Sequence, residues 1–168
     1  MRKLAYLVPV ISLMVAMLAS HPVAAAANPA YAVATINGGG TAFMTSGPTA
    51  GGKGISSFGI HATLFSDGTA SGHFDCVDQM GDTSPGNAFG EVTSWMNVDG
   101  SLSLDGALTL FITGKVVLFP GAGSFPLDFT VTVQHFGGAG VGHWTLEIGP
   151  DTICIEVLVS GQLVLRRI

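Results

Sequence analysis

Apolar and polar residues alternate along most of the chain after residue 30, and short glycine-rich stretches interrupt the alternation. A period of two is typical of β-strands, because successive side chains of a strand point to opposite faces. One stretch has four apolar residues on alternate positions, which would share one face of a strand: Phe58, Ile60, Ala62 and Leu64. No stretch keeps an apolar stripe at helical spacing. The chain is therefore predicted to fold from strands and turns.

Ten segments carry the alternation and are predicted as strands: 31–36, 41–45, 54–65, 69–77, 91–98, 101–113, 115–119, 127–136, 141–148 and 152–166, the last with a break near Ser160-Gly161. Glycine or Asp-Gly stands between several of them, at 38–40, 66–68, 99–100 and 137–140, and would supply the positive φ that tight turns need. Short connections favour antiparallel neighbours. The predicted fold class is all-β: an antiparallel β-sandwich or a small β-barrel of about 8–10 strands, which this pattern does not distinguish.

The first 27 residues have the order of segments found in a secretory signal peptide. Two basic residues within Met1–Lys3 precede an apolar run over 4–19, and small residues follow over 23–27. The run is shorter than the roughly 20 residues that a membrane-spanning helix needs. We therefore expect cleavage, no membrane span after leader removal, and one all-β domain over 28–168. The predicted location is secreted: extracellular, periplasmic or at the cell surface.

Removal of the leader leaves an acidic chain. Four basic residues, Lys53, Lys115, Arg166 and Arg167, remain against 11 acidic residues, for a net charge of −7. Nucleic-acid binding requires clustered lysine and arginine to neutralise phosphates, so a nucleic-acid partner is excluded. The expected partner is an unknown extracellular or cell-surface ligand.

The chain has two cysteines, Cys76 and Cys154. In an exported protein two cysteines most simply form one disulfide, because the compartment is oxidising. The bridge would close a loop of more than 70 residues, for which chain entropy predicts a stabilisation of about 4 kcal/mol. Two free thiols are the alternative.

Histidines and one aspartate give the only candidate polar site. His73 and Asp75 are two residues apart on a predicted strand and would project from the same face, where a carboxylate can orient a histidine as a base or ligand. His61 and His135 also fall within predicted strands, and His135 would share a face with Val131 and Val133. A solvated sheet face is the competing interpretation, since one pair lacks the third group that a metal or catalytic site requires.

No catalytic residue, metal site or cofactor is predicted. The chain has no Gly-x-Ser-x-Gly nucleophile motif. The glycine-rich segment 137–142 lies between two predicted strands with no helix after it, so it is a hairpin turn and not a dinucleotide site. Two long segments rich in glycine or proline, 47–54 and 78–90, are predicted as loops, and loops on a rigid scaffold are where binding tends to reside.

Five segments, taken in order, carry a resemblance to a known family: 38–40, 58–62, 67–74, 129–133 and 160–163. In this order of segments the chain resembles a family of small secreted bacterial β-domains of unassigned function, often found behind surface-anchoring (choice-of-anchor) modules. The resemblance implies a β fold and a location outside the cell, and it supplies no catalytic residues.

Two functions are compatible with these features. The first is an exported, non-catalytic β-domain that acts as a binding or structural module at the cell surface or outside the cell. The alternative is a small β-barrel that binds an apolar small molecule, or isomerises or cyclises one with histidine and aspartate side chains. A closed eight-stranded barrel can enclose one small ligand, so the filling of its interior separates the two.

Overall fold

The chain forms a closed, all-β barrel. A computed structural model describes residues 29–46, 54–78, 86–100, 102–117 and 123–168. These residues contain eight strands: β1 (Ala32–Ser46), β2 (Ile55–Phe65), β3 (Thr69–Asp78), β4 (Asn87–Asn97), β5 (Ala107–Val117), β6 (Ser124–Gln134), β7 (His143–Ile148) and β8 (Asp151–Arg167). Each strand pairs antiparallel with the next, and β8 pairs antiparallel with β1.

The all-β prediction is confirmed, and the architecture is a barrel rather than a sandwich. The predicted leader 1–27 lies outside the described residues, as do 47–53 and 79–85, which make up most of the two predicted loops. Eight strands replace the ten predicted ones because two pairs of predicted strands are continuous. The predicted strands 31–36 and 41–45 both fall in β1. The predicted strands 101–113 and 115–119 each overlap β5.

The glycine run 38–40 is not a turn, contrary to the prediction. It lies inside β1 and pairs with β2 on one side and with β8 on the other. Gly40 (φ 149°) lies opposite Gly161 (φ 84°), and the register shifts just beyond this pair. A Cβ on Gly161 would lie 1.9 Å from the carbonyl oxygen of Gly39. Glycine is needed here because the two strands approach closely where they close the barrel.

The turn between β2 and β3 is the tight hairpin that the sequence predicts. Asp67 Oδ1 accepts hydrogen bonds from the hydroxyl of Thr69 at 2.6 Å and from its backbone N–H at 3.0 Å. Both bonds lower the pKa of Asp67, because they favour its ionised carboxylate, and the bond from the Thr69 hydroxyl has the larger effect. Gly68 follows with φ 85°. The chain thus reverses within three residues.

The barrel interior is filled by apolar side chains. Four aromatic rings meet near its middle, with centroid separations of 5.9 Å for Phe58 and Trp144, 5.5 Å for Phe74 and Trp144, and 6.1 Å for Phe74 and Phe129. These separations are typical of favourable tilted and edge-to-face contacts. All the residues of the apolar core are at most 8% exposed. The alternation thus predicted the inward faces correctly, including Phe58, Ile60, Ala62 and Leu64.

Candidate functional site

Two of the predicted site histidines lie side by side on the outer wall of the barrel. His61 on β2 is the register partner of His73 on β3, and His73 is the partner of Glu91 on β4. The Nδ1 of His61 lies 2.5 Å from Oδ1 of Asn37, and the Nδ1 of His73 lies 3.3 Å from Oε1 of Glu91. The side chains of His73 and Glu91 are 49% and 74% exposed. Such an exposed pair contributes little stability.

Asp75 joins this row of side chains, but His135 does not. Asp75 lies opposite Gly59, and its carboxylate leans over β2, since a Cβ on Gly59 would lie 2.9 Å from Oδ1. His135 was predicted to lie within a strand. It follows the last residue of β6 and has a positive φ of 50°, so the strand ends before it and its side chain is exposed. Its ring instead lies 4.9 Å from that of His143.

The outer-wall histidines do not make a metal centre. Within the described ranges, no group of three or more histidine, cysteine, aspartate or glutamate side chains is placed to hold a metal ion. His61, His73 and Asp75 therefore form a polar surface row that can donate and accept hydrogen bonds. The arrangement contains no nucleophile paired with a base.

A polar cluster inside the barrel was missed by the sequence analysis. It consists of Ser56, Cys76, Asp78, Cys154 and Glu156, which we call the Glu156 cluster. The Ser56 hydroxyl donates a hydrogen bond to Oε2 of Glu156, whose side chain is fully buried. Among the described residues, the other carboxyl oxygen, Oε1, has no hydrogen-bond partner, and neither does the indole N–H of Trp144, the register partner of Glu156.

Burial raises the pKa of Glu156 to about 7. Desolvation is the largest cause, and the nearby Asp78 adds to it. Hydrogen bonds from Ser56 and from the Cys154 thiol act in the opposite direction, because they favour the ionised form. One signal in the sequence could have located this group: Glu156 is spaced two residues from both Cys154 and Leu158, so it falls on their inward face.

The two cysteines are buried, and the structure does not bond them to each other. Burial raises the pKa of both thiols, and the charge of the neighbouring Glu156 raises both pKa values further. Thiolates are the nucleophiles in thiol chemistry, so both groups are unreactive in this setting. The disulfide that the sequence predicts is thus absent from the structure, and it stays a prediction.

A groove lies at the opposite end of the barrel from Ser56. We call it the Trp95 groove, and it has a volume of about 480 Å³. Ligand pockets in proteins have volumes of roughly 300–1,000 Å³. The groove is lined by Tyr31, Val33, Ser66, Trp95, Asn97, Gly100, Leu102 and Arg167.

Hydrogen bonds fix the walls of the Trp95 groove. The indole N–H of Trp95 donates to the carbonyl of Phe65 at 2.9 Å. The guanidinium of Arg167 donates from both Nε and Nη2 to the carbonyl of Leu102. Tyr31 exchanges two bonds with Ser66, through its N–H and its carbonyl. The groove is therefore preformed.

No protein family, curated protein or solved structure matches the chain. Across the part of the chain that the structure describes, there is no helix long and apolar enough to cross a membrane.

Proposed function

We propose that the protein is an exported, non-catalytic β-barrel that binds an extracellular or cell-surface ligand through the Trp95 groove. One observation carries the proposal: Tyr31, Trp95 and Arg167 line a single groove. Tyr31 is the only tyrosine after the predicted leader, and Trp95 is one of only two tryptophans in the chain. Tryptophan, tyrosine and arginine are the residue types most enriched where binding energy concentrates.

The exposure of Tyr31 supports a role in binding. Its side chain is 66% exposed although it is large and aromatic. Trp95 is half-buried, and its N–H is already bonded to the protein, so its ring is what the groove offers to a ligand. A ligand with a flat apolar face and hydrogen-bond acceptors at its edge fits these groups. Because hydrogen bonds already hold the side chains of Trp95 and Arg167, little entropy is lost in ordering these two residues on binding.

Export is part of the proposal, on the strength of the leader-like residues 1–27. The disulfide between Cys76 and Cys154 belongs to it as well, since both thiols contribute to one buried cluster and affect each other electrostatically. The filled interior favours a surface site over an enclosed one, because its aromatic centre is occupied by the protein's own side chains.

The test uses the fluorescence of the two tryptophans. Trp144 is 1% exposed inside the barrel and serves as an internal reference, whereas Trp95 faces the groove. Panels of oligosaccharides and short peptides are titrated, and a ligand of the groove should change the Trp95 emission. The affinity of that ligand is then measured by isothermal titration calorimetry for both the unsubstituted protein and Trp95→Phe, because the variant lacks the fluorescent reporter. Trp95→Phe should weaken the binding by roughly tenfold or more, as expected for an anchor residue.

The matched control is Phe125→Leu, which changes a half-exposed aromatic residue at the other end of the barrel. It should leave the affinity unchanged. Binding that is insensitive to Trp95→Phe would place the ligand elsewhere and contradict the proposal.

A second candidate function is a barrel that binds and isomerises or cyclises an apolar small molecule. The observation in its favour is Glu156, a buried carboxyl group whose raised pKa of about 7 is suited to acid-base chemistry near neutral pH. The packed interior weighs against it, because a substrate would have to displace core side chains. A crystal structure with a small molecule beside Glu156 would establish it in place of the surface site.

A further inference from the structure

The Glu156 cluster links two strands that are not neighbours in the sheet. Glu156 is on β8 and Ser56 is on β2, and the two strands are separated in the sheet by β1. Their hydrogen bond therefore crosses the interior rather than following the sheet. It is a side-chain link between two strands that share no backbone hydrogen bonds.

The groups that face Glu156 come from five strands. They are Met44 from β1, Ser56 from β2, Cys76 and Asp78 from β3, Trp144 from β7, and Cys154 from β8 itself. Of these, Asp78 and the two cysteines are acids, so none of them can supply a positive charge. Among the buried residues that the structure describes there is no lysine, arginine or histidine.

Ionised Glu156 would consequently be a buried charge with no buried counter-ion among the described residues. In the same part of the chain its Oε1 would lack even a hydrogen bond, and its neighbour Asp78 is itself only 6% exposed. An unpaired buried charge is unfavourable, so ionisation of Glu156 destabilises the closed structure relative to an open one. Entry of water or movement of the strands would relieve this cost.

We propose that the Glu156 cluster is a pH-sensitive latch: this end of the barrel stays closed while Glu156 is neutral, and loss of its proton opens it and exposes Cys76 and Cys154. The Ser56 bond favours the ionised form and so opposes opening, whereas the cost of a buried charge drives it. The inference is independent of the Trp95 groove, which lies at the other end. The latch needs only the burial of Glu156, the unpartnered Oε1 and the absence of a buried base, all three among the described residues.

The direction of the pH dependence follows from the raised pKa. The group has a pKa of about 7 in the folded protein against an ordinary value of 4.5. The stability associated with neutral Glu156 is fully present below pH 4.5, is lost as the pH rises through 7, and does not return above it. The latch is thus closed in acid and released at neutral to alkaline pH.

The two thiols are built-in reporters of opening. In reduced protein, their rate of reaction with a disulfide reagent such as DTNB measures how often the cluster is exposed. Because thiolate formation also rises with pH, each rate is compared with that of the urea-unfolded chain at the same pH. The rate of the unfolded chain divided by that of the folded protein is the protection of the thiols. Between pH 5.5 and 8 this protection should fall by roughly 10- to 30-fold, as the two pKa values of Glu156 imply.

Glu156→Gln keeps the shape of the side chain but cannot ionise, so its protection should stay constant over the same pH range. Glu91→Gln, on the exposed outer wall, is the matched control and should behave as the unsubstituted protein does. Equal pH dependence in Glu156→Gln and the unsubstituted protein would overturn the latch.

A second measurement does not depend on the variant folding. The carboxyl carbon of Glu156 can be titrated by isotope-edited NMR or infrared spectroscopy in the unsubstituted protein. A midpoint near 7 that coincides with loss of thiol protection supports the latch. A midpoint near 4.5, or a midpoint near 7 with thiols protected throughout, refutes it.

Discussion

The Ser56 hydroxyl on β2 donates a hydrogen bond to the Glu156 carboxyl group on β8, across the interior of the barrel and past the intervening strand β1. The carboxyl group is fully buried, and its second oxygen has no hydrogen-bond partner among the described residues. The Ser56 bond favours the ionised carboxyl group, whereas burial favours the neutral one, and burial has the larger effect. Several measurable properties depend on this pair.

Glu156→Gln should stabilise the protein at pH 8. The glutamine amide remains neutral, whereas the carboxyl group loses stability as the pH rises from 4.5 through 7. The shift from 4.5 to about 7 corresponds to about 3 kcal/mol. Urea unfolding at pH 4.5 and at pH 8 measures the difference. A variant that is less stable than the unsubstituted protein at pH 8 contradicts the prediction.

Ser56→Ala should destabilise the protein and raise the pKa of Glu156 further. The substitution removes the donor to Oε2, and leaving a buried polar group unsatisfied costs about 1–3 kcal/mol. Because the Ser56 bond lowers the pKa of Glu156, its loss shifts the titration upward. Thermal unfolding and the carboxyl titration check the two effects. Ser71→Ala, on an exposed outward position of β3, is the control and should change neither quantity.

Gly161→Ala should prevent the barrel from closing or destabilise it by more than about 3 kcal/mol, because an alanine Cβ would overlap the carbonyl of Gly39. Gly100→Ala is a matched control with nearly the same backbone: φ is 79° at Gly100 and 84° at Gly161. Nothing lies within 4 Å of a Cβ at Gly100, so only backbone strain of about 1–2 kcal/mol is added there. Equal losses at the two glycines would mean that crowding at the β1–β8 pairing is unimportant.

Protein recovered from an oxidising compartment should contain the disulfide between Cys76 and Cys154, if export is correct. Intact mass should then be two daltons lower before reduction than after it. Protein made under reducing conditions should instead show two thiols, which at pH 5.5 react much more slowly in the folded protein than after unfolding, as their burial requires. Identical masses before and after reduction of the exported protein would rule out the bridge.

The faces of the strands could be predicted from the sequence, because side chains alternate strictly along a strand. Phe58, Ile60, Ala62 and Leu64 are all buried, as their spacing requires. The boundaries around glycine could not be predicted. A glycine has the same appearance in the sequence whether it turns the chain, as at Gly68, or lets two strands approach closely, as at Gly40.

The candidate site was only partly predictable for a related reason. His61 and His73 come together through the register of β2 and β3, which a hairpin of known length nearly fixes. Glu156 and Ser56 come together through closure of the barrel, and no local pattern encodes that contact between residues 100 positions apart. Long-range pairs of this kind depend on the whole topology.

The pairing of β1 with β8 has a kinetic consequence. Ala34 pairs with Arg167, and the N–H of Ile168 donates to the carbonyl of Val33, so β1 is completed by β8 and the residue after it. Such contacts between distant residues slow folding, because a long loop must close before they form. A nascent chain lacking residues 151–167 is an open sheet with two unpaired edges. The barrel can therefore close only after β8 has been synthesised, and until then the open edges can pair with those of other copies.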